Sequence, residues 1–146
     1  MKTSLAPMKT SLALAVALFA WVPATRADDG LANALEKVSK DQIAAFNRKD
    51  VAATMSYAHT KSPTYDAARE TITAAFKDSN PQAEQVSFQY IGHDDEFAMA
   101  RVKVKVTSPG TEGFQPNLVD TVTLFHQEGG TWKVWDIYLV GGDLVK

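Results

Sequence analysis

Two carboxylates, Asp120 and Asp136, stand among apolar and aromatic residues in the last third of the chain. Asp136 lies inside TWKVWDIYLV, residues 131–140, a run that otherwise reads as a buried strand. A carboxylate in such a setting is costly unless it is paired or hydrogen-bonded. Two of them in one low-dielectric pocket push one pKa upward, as acid–base catalysis requires. Tyr57, Tyr65 and Tyr138 supply hydroxyl donors, and His59 a proton carrier at a pocket rim. The chemistry open to this set is proton abstraction by Asp136 or Asp120, with a tyrosine hydroxyl holding the oxyanion. The structural alternative has Asp136 accept hydrogen bonds from Tyr57 or Tyr65, or pair with Arg69, and so tie sheet to helices. That alternative is favoured, since polar networks in cores commonly serve the fold alone.

These residues need a sheet to carry them. Leu31, Leu35, Val38, Ile43 and Phe46 recur at helical spacing and give a first helix, ended by Asn47-Arg48-Lys49. Asp50 is placed to cap a short second helix, and Thr64 a third with Tyr65, Ala68, Ile72 and Phe76 on one face. Asn80-Pro81 stops it. The period then changes. Val86, Phe88 and Tyr90 alternate with polar residues. Ala98, Ala100, Val102, Val104 and Val106 alternate with Met99, Arg101, Lys103 and Lys105, one face dry and one wet. Residues 118–127 and 131–140 make a hairpin around Glu128-Gly129-Gly130. Helices followed by antiparallel strands imply a single α+β domain.

Register sets the directions. With Lys133 facing water, Trp132, Val134, Asp136 and Tyr138 point to the concave side, and Trp135, Ile137 and Leu139 to the convex side. Opposite them, His126 pairs with Trp132, Leu124 with Val134, Val122 with Asp136 and Asp120 with Tyr138. Tyr57, His59, Tyr65, Asp120, Val122, Trp132, Asp136 and Tyr138 are thus the candidate pocket residues. In the reversed register, Trp135, Ile137 and Leu139 are core and Asp136 faces solvent.

Other signatures are missing from the sequence. His59, His93 and His126 lack metal-ligand spacing, and HDDE at 93–96 reads as a solvated turn rather than a cation site. There is no Gly-x-Ser-x-Gly elbow and no phosphate-loop or dinucleotide fingerprint. The reading therefore includes no metal and no cofactor. Residues 1–27 have Lys2 and Lys9, an apolar run from Leu12 to Val22, and the ending Thr25-Arg26-Ala27, the pattern of a secretory signal peptide with translation starting at Met1 or Met8. The domain then occupies residues 28–146, with 12 basic and 17 acidic residues and a formal charge of −5. That balance argues against nucleic acid and, after signal cleavage, against a membrane as partner. The expected location is periplasmic or secreted. The chain has no cysteine, so its core alone must hold it together.

AAFNRKDVAATMSYAH, with Phe46-Asn47, Asp50, Val51, Met55 and Tyr57, resembles the helix–turn–helix signature of the nuclear transport factor 2-like superfamily, which includes SnoaL-like and ketosteroid isomerase-like proteins. The closing FHQEGGTWKVWDIYL is similar to the superfamily's last hairpin. The resemblance implies a curved antiparallel β-sheet wrapped around N-terminal helices, forming a cone with a pocket. It implies no single activity, since members include isomerases, dehydratases, cyclases, hydrolases and ligand carriers. No catalytic residue carries over: the isomerases have a tyrosine in the first helix, and this chain has none. Members often dimerise through the convex face, which makes Trp135, Ile137 and Leu139 the candidate homodimer contacts. The expectation is an exported domain binding a small, mostly apolar ligand. The alternatives are a lyase or isomerase, and a protein-interaction module with a filled cone.

Overall fold

The computed structural model describes residues 25–144. Helix α1 (Thr25–Asn47) is followed by α2 (Val51–Met55) and α3 (Tyr65–Asp78), then by strands β1 (Gln82–His93), β2 (Phe97–Thr107), β3 (Asn117–Glu128) and β4 (Thr131–Leu144). The strands form one antiparallel sheet in the order β1-β2-β3-β4. This is the α+β cone that the sequence implied.

Leu35 of α1 is fully buried with Ala98, Ala100 and Val102 of β2, Phe125 of β3 and Val134 of β4. Leu31, Val38, Phe88, Tyr90, Val104 and Trp132 pack around them. The small alanines of β2 let the helix lie close to the sheet. Asn47 fixes the far end of α1: its Nδ2 donates to Ala83 O and its Oδ1 accepts from Ala83 N, both at 2.8 Å. One side chain thus stands in for a strand residue beside β1. Lys49 then turns the chain in the left-handed region (φ 58°), and Asp50 caps α2 by accepting from Ala53 N at 2.9 Å.

Helix α3 differs. Thr64 precedes it without a side-chain cap, and its hydroxyl reaches Asp136 instead. No residue of α3 is buried. Its apolar face, carrying Ala68 and Ile72, stands over a cleft rather than against the sheet. The segment between α2 and α3 does join the sheet: Ala58 bridges to Val134 in parallel, with His59 N donating to Val134 O and Val134 N to Tyr57 O, each at 2.8 Å.

The closing hairpin corrects the expected register. Glu128 pairs with Thr131 across a two-residue turn, Gly129-Gly130, with φ of 59° and 79°. That tight mirror-type turn suits the strand twist and needs glycine. It slides the pairing by one residue, so Gln127 lies opposite Trp132 and Phe125 opposite Val134. A bulge at Trp135 then adds one residue to β4, putting Asp136 opposite Leu124, Ile137 opposite Thr123, Tyr138 opposite Val122 and Leu139 opposite Thr121. Because side chains alternate, each one-residue step exchanges the faces. Another bulge lifts Val86 out of the β1 alternation and leaves it exposed, while Phe88 and Tyr90 stay with the core.

Candidate functional site

The concave face of the sheet does not close fully onto the helices. An outer chamber of about 350 Å³ lies between α3, the segment before it and β4. An inner chamber of about 200 Å³ lies between α1 and strands β2 to β4. Gln42, Val134 and Ile137 line both, so the two meet there. The surfaces are mostly aliphatic, with hydroxyls from Ser62, Thr64 and Tyr65 outside and from Ser39, Thr121 and Thr123 inside. Tyr65 and Asp136 are the only ionisable side chains among these lining residues. An apolar hollow with few polar groups has the form of a small-molecule site.

Of the eight residues expected at the pocket, Tyr65 and Asp136 line it and the other six do not. Asp136 sits at the outer edge of β4. Its Oδ1 accepts from Thr64 Oγ1 at 3.2 Å and from Ile137 N at 2.8 Å. It therefore ties the start of α3 to the sheet and occupies an amide of an edge strand. Its partners are neither Tyr57, Tyr65 nor Arg69.

Asp120, expected beside Tyr138 in the concavity, lies on the convex face. Arg101 grips it with Nε at 2.8 Å and Nη2 at 2.6 Å, and Lys103 stands at 3.9 Å. The Arg101 hydrogen bond holds the carboxyl below its ordinary pKa, the opposite of what a general base in a dry pocket needs. Val122 and Tyr138 face each other on that same convex side. Hydrogen bonding toward Asp136, then its charge, raises the Tyr138 phenol pKa. Trp132 packs against the core, and Tyr57 serves through its backbone carbonyl.

His59 is buried but turned away from the chambers. Lys61 N donates to its Nδ1 at 3.1 Å, so its proton lies on Nε2, which faces His126 Nδ1 at 3.1 Å and Gln127 O at 3.3 Å. The two imidazoles pack with Trp135, and Phe97 packs with His126 and Trp135. Thr60 bonds Glu128 alongside, holding that carboxyl below its ordinary pKa. This cluster latches the segment before α3 onto the last hairpin. Among the described residues, no group of three or more His, Cys, Asp and Glu could hold a metal ion.

The supposed convex contacts also divide. Trp135 packs with the rings of His59, Phe97 and His126 and also borders the outer chamber, whereas Ile137 lines both chambers and Leu139 shares the concave side of Thr121. Cross-strand pairing instead gathers Met99, Leu124, Val122 and Tyr138 on the convex face. The residues missed by sequence reasoning are Gln42, Thr121 and Thr123. A lone glutamine on a helix and threonines in a strand give no signal until their side of the wall is known.

Residues 37–139 match the family model for the anti-sigma-I factor RsgI9, C-terminal domain. No curated protein matches the sequence. Among solved structures, the chain is similar to a candidate dehydratase of the NTF2-like family from Streptomyces avermitilis, with a TM-score of 0.64 at 13% identity, covering 82% of this chain and 99% of that one. It is similar to a candidate scytalone dehydratase from Novosphingobium aromaticivorans, with a TM-score of 0.64 at 12% identity, covering 82% and 92%. A third likeness is to an NTF2-like protein of unknown function from Pseudomonas putida, with a TM-score of 0.63 at 10% identity, covering 76% and 86%. At such identities the likeness speaks for the fold and not for a reaction. The family match spans most of the chain and the cone is shared: the chain belongs to the family of the RsgI9 C-terminal domain and has the nuclear transport factor 2-like fold.

Proposed function

We propose that this chain is an exported binding domain that holds a small, mostly apolar molecule between α1, α3 and the sheet. The observation that carries the reading is the pair of joined apolar chambers under an amphipathic helix with no buried residue. A helix whose apolar face meets empty space gains by burying that face on a ligand. Binding is supported over proton transfer by the placement of the two acids: Asp120 is held by Arg101 outside the cone, and Asp136 by Thr64 and a backbone amide. Export rests on residues 1–27, most of which lie outside the described residues; cleavage after Ala27 would remove only the first three residues of α1.

Native mass spectrometry of protein purified from its own compartment tests both parts. The expected species begins at Asp28 and carries a small organic molecule, which Ala68→Trp, filling the outer chamber, displaces. Protein that retains Met1 or Met8 would refute export. A ligand kept by a folded Ala68→Trp variant would refute this cleft as its seat.

The convex patch supports a homodimer as a second part of the proposal. Met99 and Tyr138 are 40% and 51% exposed there, beside Val122 and Leu124. Apolar side chains gathered on one sheet face favour a partner. Sedimentation should show a mass that rises with concentration and falls in Tyr138→Asp; a monomer at all concentrations would count against it.

A further inference from the structure

We infer that the cleft selects an uncharged amphiphile, an elongated apolar body bearing one alcohol or ketone group that Thr123 and Gln42 receive. This deepens the binding reading and rests on it.

Thr121 and Thr123 stand side by side in register on the wall of the inner chamber. They are not equivalent. Thr121 Oγ1 donates to Val102 O at 3.0 Å, so its hydroxyl is satisfied within the sheet. Thr123 is only 5% exposed, lines the chamber, and has no hydrogen-bond partner among the described residues. Its oxygen is not among the fully enclosed unpartnered polar atoms, so the hydroxyl opens onto the chamber, where an occupant can bond it. Gln42 enters from α1, where the chambers meet, and its carboxamide is the one amide side chain lining them. In the inner chamber, where the Ser39 and Thr121 hydroxyls are already bonded within the protein, one hydroxyl and one carboxamide, both able to donate and to accept, are left to an occupant.

Charge narrows the occupant. The inner chamber has no ionisable lining residue, and the only charge at the outer one is the Asp136 carboxylate. A ligand carboxylate would lose its hydration without gaining a cation and would meet Asp136 at the entrance. A ligand ammonium would find no counter-ion inside. A neutral alcohol or ketone loses far less and is matched by Thr123 and Gln42. The two chambers meet at Gln42, Val134 and Ile137, so an occupant reaching the hydroxyl from outside is elongated.

The test is a matched series of equal chain length: decanol, decane, decanoate and decylamine. Each is titrated against the full chain at neutral pH, read by fluorescence of Trp135 at the outer chamber and by thermal shift. Decanol is expected to bind tightest, with decanoate and decylamine weaker by about tenfold or more. Thr123→Val and Gln42→Leu are each expected to weaken decanol by about three- to tenfold and to leave decane unchanged. Retained decane binding also shows that the variants are folded. Decane binding as tightly as decanol, decanoate binding tighter than decanol, or Thr123→Val weakening decane and decanol equally would overturn the inference while leaving apolar binding intact. Failure of all four to bind would overturn it together with the binding reading.

Discussion

Removing the Asp136 side chain separates a structural carboxylate from a catalytic one. Its Oδ1 accepts two hydrogen bonds, from Thr64 Oγ1 at 3.2 Å and Ile137 N at 2.8 Å, at a half-buried position. Asp136→Ala leaves the Thr64 hydroxyl and the Ile137 amide to water. At roughly 0.5–1 kcal/mol for each bond in a partly solvated place, the loss is about 1–2 kcal/mol. For a domain of this size that is a fall in Tm of about 4–8 °C. Asp136→Asn retains the accepting oxygen and changes only the charge, so it should cost less than about 0.5 kcal/mol. Thr64→Val removes one of the two bonds, and a cycle with Asp136→Ala should show a coupling of about 0.5–1 kcal/mol. Urea unfolding monitored by tryptophan fluorescence measures the wild type and the four variants, the double variant included. If Asp136→Asn costs as much as Asp136→Ala, negative charge and not hydrogen bonding is what matters. If the cycle is additive, the Thr64 contact contributes nothing, and the account of Asp136 as a tie between α3 and β4 fails.

Two further outcomes follow from the fold. Asn47→Ala removes both bonds to Ala83 and leaves a partly buried strand amide and carbonyl unmatched, a loss of about 2–3 kcal/mol in urea unfolding; a cost below about 0.5 kcal/mol would show that the side chain does not stand in for a strand. The carboxyls of Asp94, Asp120 and Glu128 all sit below their ordinary pKa, through backbone amides, Arg101 and Thr60 respectively. Groups with a depressed folded pKa contribute stability above their unfolded pKa and lose it as pH falls through the folded one. The Tm should therefore hold above the ordinary carboxyl range and drop below it, with a shallower drop in Asp120→Asn; an acid limb unchanged by that substitution would remove Asp120 from the account.

How much of this could be read beforehand depended on the pattern of each strand. In β2, small or aliphatic residues alternate strictly with Met99, Arg101, Lys103 and Lys105, so a slip of one would bury charge, and its faces were legible. The start of α2 was legible too, because Asp50 caps it locally, whereas Thr64 does not cap α3 and the bonds of Asn47 reach a strand 36 residues on. In β4, the run Val134-Trp135-Asp136-Ile137-Tyr138-Leu139 is apolar at both parities, so a bulge leaves no mark in it. The same ambiguity turned β3 over. Reading it with its larger aliphatics inward put Val122 and Leu124 in the cone, whereas the fold turns Thr121 and Thr123 inward and leaves the aliphatics on the outer face.

That inversion has a physical reading. A core packed only for stability would have no use for a hydroxyl at Thr123, and a surface meant only for water would not gather Val122, Leu124, Met99 and Tyr138. Both faces of β3 break the rule of apolar inside and polar outside, in opposite senses and at neighbouring residues. Two breaks of that kind on one strand match the two proposed occupants, a polar-tipped ligand within and an apolar partner without. The decanol series and the sedimentation of Tyr138→Asp address the two faces separately. Loss of either effect without the other would show that the faces of β3 work independently.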